Sequence, residues 1–161
     1  AEVLARRIAD ISPDTAVRPL QARYEAQTRE TLFSAGPFDY LVDAIDLVSC
    51  KLDLIVTAME CGIPIVSALG TGNKTDASLL RVCDIAQTSG CPFARVVRKE
   101  LRARGITHHT VVFSPEPACK PEPAETPPPG RRAVPGSIIW VPASAGLLLA
   151  QHVVLSLAGR A

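Results

Sequence analysis

The sequence has 161 residues, of which 47% are hydrophobic and 20% charged, an ordinary globular balance that suits one domain with a single core. Aromatic residues make up only 4%, so that core must rest on Val, Leu, Ile and Ala. A formal net charge of +1 excludes any argument from overall charge for or against a nucleic-acid partner, which must come from local clustering.

In chain order, Ala1 to Ile11 reads as the end of an amphipathic helix, with Leu4, Ile8 and Ile11 on one face and Ser12-Pro13 as its stop. Residues 15–22 are expected to form a strand and 23–33 a helix ended by Gly36-Pro37. Residues 38–45 read as a buried strand. A helix follows from Ser49, with Leu52, Ile55, Val56 and Met59 at helical spacing and Gly62 as its C-terminal glycine. Residues 63–69 form the next strand, with almost no polar residue, and Gly70 to Asn73 a turn. Two nearly continuous apolar strands around one helix make a βαβ unit in a parallel sheet covered on both faces.

Further strands are expected at 79–85 and 109–113, separated by a helix at 91–104 with Pro92 in its first turn and Gly105 beyond its end. Eight of the fourteen prolines fall between 115 and 135, so 115–136 reads as an extended, flexible loop. A strand at 137–141 and a closing helix at 143–157 complete the order. That closing stretch is the most apolar of the chain, yet it contains Gln151 and His152 and falls short of the roughly 20 apolar residues of a bilayer helix. A buried core helix without membrane insertion is expected. The charged opening residues show no signal peptide. Five cysteines without a Cys-x-x-Cys pair speak against a disulfide scaffold or zinc knuckle and fit a reducing cytoplasm.

The cluster Asp43-Ala44-Ile45-Asp46 stands at the carboxyl end of an expected parallel strand, where open α/β sheets bind ligands. A carboxylate there can hold Mg²⁺ on nucleotide phosphates. Ser49 and Lys51 follow at a helix start, where backbone N–H groups favour anions. The plainer alternative is that Asp46 caps that helix.

Five segments carry a family resemblance in order: Tyr40 to Lys51 (YLVDAIDLVSCK), Gly62 to Asp76 (GIPIVSALGTGNKTD), Val82 to Thr88 (VCDIAQT), Cys91 to Arg95 (CPFAR) through Arg104-Gly-Ile106, and Pro135 to Gly146 (PGSIIWVPASAG). Together they resemble the ThiF/MoeB/HesA superfamily, closest to its tRNA threonylcarbamoyladenosine dehydratase branch. The resemblance implies a Rossmann-like, partial doubly wound, mostly parallel sheet with flanking helices. It also implies ATP-dependent activation of a carboxylate as an acyl-adenylate, here the threonyl carboxylate of a modified tRNA adenosine, followed by ring closure. Asp46 matches the family aspartate that works with Mg²⁺ and the phosphates. Nucleotide contacts are implied at Ala44, Ile45 and Lys51, and a homodimer is expected.

The family's glycine-rich nucleotide loop has no counterpart, since no Gly-x-Gly-x-x-Gly occurs. The chain therefore resembles the C-terminal portion of a family domain lacking its first strands. A basic stretch at Arg95, Arg98, Lys99 and Arg102 fits a phosphate backbone such as tRNA, or else a solvated helix face. Cys91, at a helix start, is either a reactive thiol or a packing residue. His108 and His109 are expected to be structural. Two other readings stay open: activation of a sulfur-carrier protein's C-terminus, whose enzymes often carry Cys-x-x-Cys zinc motifs, and a non-catalytic dimerisation module.

The absent glycine-rich loop predicts that the isolated 161 residues neither turn over nor bind ATP tightly. Titration calorimetry checks this, and clear micromolar binding would contradict it.

Overall fold

A computed structural model of the protein describes residues 1–119 and 135–160, in two compact units, Ala1–Pro37 and Phe38–Ala161. In the first unit, helix α1 (Glu2–Ile11) has its acidic residue, Glu2, in the first turn, and leaves Val3, Leu4, Ile8 and Ile11 exposed. The strand expected at 15–22 is not formed; the segment pairs with no described strand, and an extended run without a ladder partner stays irregular. The helix expected at 23–33 shrinks to α2 (Arg29–Phe33). Thr28 explains the loss: its hydroxyl donates to the Arg23 carbonyl at 2.7 Å and accepts from the Glu25 N–H at 2.9 Å. Those bonds hold residues 23–28 in a turn rather than a helix.

The second unit holds a four-stranded sheet made of β1 (Leu41–Asp43), β2 (Ile65–Ala68), β3 (Arg81–Asp84) and β4 (Thr110–Phe113), in the order β1-β2-β4-β3. The first three in space are parallel, with Val42 opposite Val66 and Ser67 opposite Val111. β3 joins antiparallel at the other edge. Between β1 and β2 runs α3 (Val48–Glu60), closed by Gly62 at φ +67°, a conformation glycine adopts without strain. α4 (Pro92–Ala103) precedes β4, with Pro92 in its first turn.

The segment 137–141 does not form a strand. Its branched Ile-Ile-Trp-Val run gives way to α5 (Trp140–Leu157), because Pro142 has no N–H for a ladder but fits a helix's first turn. α5 packs on β2, β3 and β4 and buries Val141, Ala145 and Leu149 with Val66, Leu80 and Val112. It is not the buried core helix that composition suggested: Leu147, Val154 and Leu157 stay exposed. By length and composition it is the one helix among the described residues able to cross a membrane.

Side chains alternate across a strand, so Val66 and Val112 face α5 while Ser67 and Val111 face the other side. There α3 contacts β1, β2 and α4, and Ile55, Ala58, Ala94, Val97 and Leu101 are wholly buried. Leu101→Ala should cost about 3 kcal/mol by transfer and cavity terms together, checked by urea denaturation.

Candidate functional site

β1 ends on Asp43, whose side chain is fully buried although most aspartates lie at the surface. Its two oxygens have separate partners. Oδ1 accepts the Ile45 N–H at 2.9 Å, and Oδ2 accepts from Lys51 Nζ at 2.5 Å. Lys51 lies in the first turn of α3 and is also fully buried. Its ammonium donates a second bond to the Ala68 carbonyl at 2.9 Å and stands 5.9 Å from the centre of the Phe93 ring. One side chain thus links the carboxyl ends of β1 and β2 to α3. Burial lowers the Lys51 pKa, against the opposing charges of Asp43 and Asp46.

Asp46, three residues beyond Asp43, is exposed, as is Ala44, while Ile45 is half-buried. The helix N-cap falls on Leu47 rather than Asp46. The parallel register of β1 and β2 sets the Asp43–Asp46 turn beyond the carboxyl ends of both strands, the ligand position of an open α/β sheet. No group of three or more His, Cys, Asp or Glu able to hold a metal occurs among the described residues. A single exposed carboxylate still fits Mg²⁺, which is commonly held by one or two carboxylates plus substrate phosphates.

The same face of the sheet carries a second buried polar pair. Ser67, opposite Asp43 in the register, meets His109 with Oγ 2.7 Å from Nε2. Burial, then the Lys51 charge, lower the His109 pKa to about 4, with Asp43 and Asp84 opposing. The ring is therefore neutral near pH 7. His108 is exposed, its Nδ1 3.2 Å from Asp84 Oδ2. It lines a cavity of about 340 Å³ with Tyr40, Met59 and Pro64 at the amino ends of β2 and β4, away from the Asp43–Asp46 turn.

The loop after β2 is stitched down. Lys74 donates to the Ser114 carbonyl at 2.5 Å, and the Glu116 carboxylate accepts from the Thr75 and Asp76 N–H groups at 2.9 and 3.1 Å. Asn73, at φ +57°, receives the Cys119 N–H on its carbonyl and exchanges main-chain and side-chain bonds with Gly136. Most of the proline-rich segment, 120–134, lies outside the described residues.

Of the basic residues, Arg95, Lys99 and Arg102 are exposed on α4 at helical spacing. Arg98 is half-buried and tied to Thr88, bonding its carbonyl at 2.6 Å and its hydroxyl. Cys91 is the N-cap of α4 and only 5% exposed. The sequence marks Asp43 only as part of the cluster that ends on Asp46 and His109 only as structural, and it gives no partner for either; Ser67 is not singled out. The available signal was a charged or polar residue inside an apolar parallel strand, which requires a buried partner.

The ThiF family pattern matches residues 1–161. The tRNA threonylcarbamoyladenosine dehydratase of Bacillus subtilis (strain 168) is 35% identical over 165 residues, covering 97% of this chain and 65% of that enzyme. Dehydratase 2 of Saccharomyces cerevisiae is 39% identical over 117 residues, 71% of this chain and 26% of its own length. The chain thus spans less than two thirds of the relatives it matches. Crystal structures of the E. coli tRNA N6-threonylcarbamoyladenosine dehydratase share the Rossmann-like fold. The AMP complex superposes with a TM-score of 0.81 at 28% identity, over 100% of this chain and 66% of that one. The ATP complex gives 0.83 at 27% identity, over 99% and 64%.

The buried imidazole sets a pH dependence. Its folded pKa of about 4 lies below the usual 6.5, so protons favour the unfolded chain between those values. Its contribution to stability is fully present above pH 6.5 and is lost as pH falls toward 4, by roughly 3 kcal/mol. Urea midpoints from pH 7 to pH 4 should fall less steeply in His109→Asn than in the parent.

Proposed function

Because the chain belongs to the ThiF family, we propose that it is the sheet-and-helix portion of an ATP-dependent tRNA threonylcarbamoyladenosine dehydratase. The observation that carries this reading is the β1–β2 register, with the Asp43–Asp46 turn beyond two parallel strand ends, in a chain that superposes on nucleotide-bound dehydratases.

In this reading the threonyl carboxylate of the modified adenosine displaces pyrophosphate from ATP and becomes an acyl-adenylate. Ring closure then expels AMP, so the nucleoside has lost one water in all. Asp46 is the residue we assign to the metal, whose chemistry when bound is to neutralise phosphate charge. Ala44 and Ile45 line the nucleotide side of the turn. Lys51 acts from behind it, since its ammonium is engaged by Asp43 and Ala68. Buried Cys91 is assigned to packing rather than acyl transfer.

Arg95, Lys99 and Arg102 are the residues we assign to the tRNA backbone. Arg98, engaged by Thr88, supports the helix instead. The exposed Leu147, Val154 and Leu157 of α5 are the surface we assign to a homodimer. A reducing cytoplasm goes with this reading, the five cysteines all being free thiols.

The test uses the purified full gene product that carries these residues, incubated with ATP, Mg²⁺ and tRNA bearing threonylcarbamoyladenosine. Nucleoside mass spectrometry should show ATP-dependent loss of water, abolished by Asp46→Ala. Pyrophosphate release without change in the tRNA would redirect the reading to another carboxylate, such as a sulfur-carrier C-terminus. No ATP consumption at all would overturn it in favour of a non-catalytic module. Reversing Arg95 and Arg102 to Glu should weaken tRNA binding and lower its salt dependence by about two ionic contacts. Filter binding across a salt series reads this, and an unchanged slope would remove α4 from the tRNA surface.

A further inference from the structure

We propose that the buried Asp43–Lys51 pair is a positioning device that fixes the turn presenting Asp46, rather than a stabilising ion pair or a phosphate ligand. The inference rests on the dehydratase reading and adds to it two residues that act through a third.

The geometry divides the work of one carboxylate. Oδ1 of Asp43 holds the Ile45 N–H at 2.9 Å, which closes the backbone turn immediately before Asp46. Oδ2 is held at 2.5 Å by Lys51, whose ammonium is anchored independently on the Ala68 carbonyl of β2. Asp43 therefore cannot rotate without breaking both the turn and the tie to the neighbouring strand. Lys51 comes from α3, so the helix that follows Asp46 is fixed to the strand that precedes it. Asp46 sits between two points held by the same ion pair.

Energetics point the same way. Both side chains are 0% exposed. Taking two charges out of water carries a desolvation cost that their attraction repays only in part, and apolar replacements of like volume are often neutral or stabilising. A fully desolvated pair is thus a weak stabiliser, whereas it fixes direction and distance better than any apolar contact. Of the Lys51 donor bonds described, one goes to a carboxylate and one to a carbonyl, both internal. That arrangement suits a strut better than a ligand for phosphate.

A double-mutant cycle in the full gene product tests this. Asp43→Leu/Lys51→Met should retain thermal stability near the parent's. Its kcat/KM for ATP in pyrophosphate exchange should nevertheless fall at least about tenfold. Adding Asp46→Ala to that pair should produce far less loss than Asp46→Ala produces in the parent, because the turn it depends on is already released. A purely structural role would leave the two losses additive. A stable apolar pair with parental kcat/KM, or additive losses, would overturn the proposal. Should the apolar pair not fold, the neutral polar pair Asp43→Asn/Lys51→Gln carries the same comparison: it removes both buried charges together and weakens the ties to the turn and to β2 at once. It should reproduce the non-additivity with Asp46→Ala, and additive losses would again overturn the strut. If Asp46→Ala alone leaves ATP-dependent activity at the parental level, the nucleotide reading fails instead, and that outcome is read from the single variant.

Discussion

An aspartate at the end of one strand and a lysine in the next helix meet at 2.5 Å in a place neither would occupy alone. Isolated burial of either charge would shift its pKa or unfold the segment, so each residue's position is conditional on the other's. Removing a single partner from such a pair typically costs about 3–5 kcal/mol. Because the ammonium also reaches the Ala68 carbonyl, the condition extends to β2. The β1–α3–β2 unit is therefore specified at the carboxyl ends of its strands by directional bonds, and elsewhere by apolar packing.

The two faces of the sheet divide these duties. Toward α5 the strands present Val66 and Val112 to Val141, Ala145 and Leu149, a contact that apolar residues of similar volume could replace. Toward α3 the neighbouring positions are Asp43, Ser67 and, one alternation before Val111, His109. No described buried side-chain polar atom lacks a partner. Such networks tolerate little substitution, since each member left unpaired retains its full desolvation penalty. The chemistry we assign to the protein sits at the margin of this less tolerant face.

The sequence made the βαβ unit legible because its signals were strong and local: apolar strands, a helical repeat between them and Gly62 at the turn. α4 was equally plain from Pro92 and Gly105. The failures have different causes. Residues 15–22 have strand composition, but a strand is a pairing, and composition does not supply a partner. In residues 137–141, four bulky side chains outweighed Pro142, which was the decisive residue. At the site, Asp46 was legible from its place in a family segment. Asp43 was not, although it stands in the same four residues, because its significance depends on Lys51 being folded back against it. His109 was legible as structural, but its partner Ser67 was not, since the two are 42 residues apart in sequence and 2.7 Å apart in space.

Asn73 joins the chain at two places far from itself in sequence. Its main chain holds Cys119 and Gly136, and its side chain holds Gly136 again. A single asparagine thus fixes Cys119 and Gly136, on either side of residues 120–134, to the same point of the loop after β2. Closing a longer connection between fixed ends costs only about 0.6 kcal/mol per doubling. A change in the length of the segment that joins Cys119 to Gly136 is therefore expected to leave the strands and the Asp43–Lys51 pair as they are.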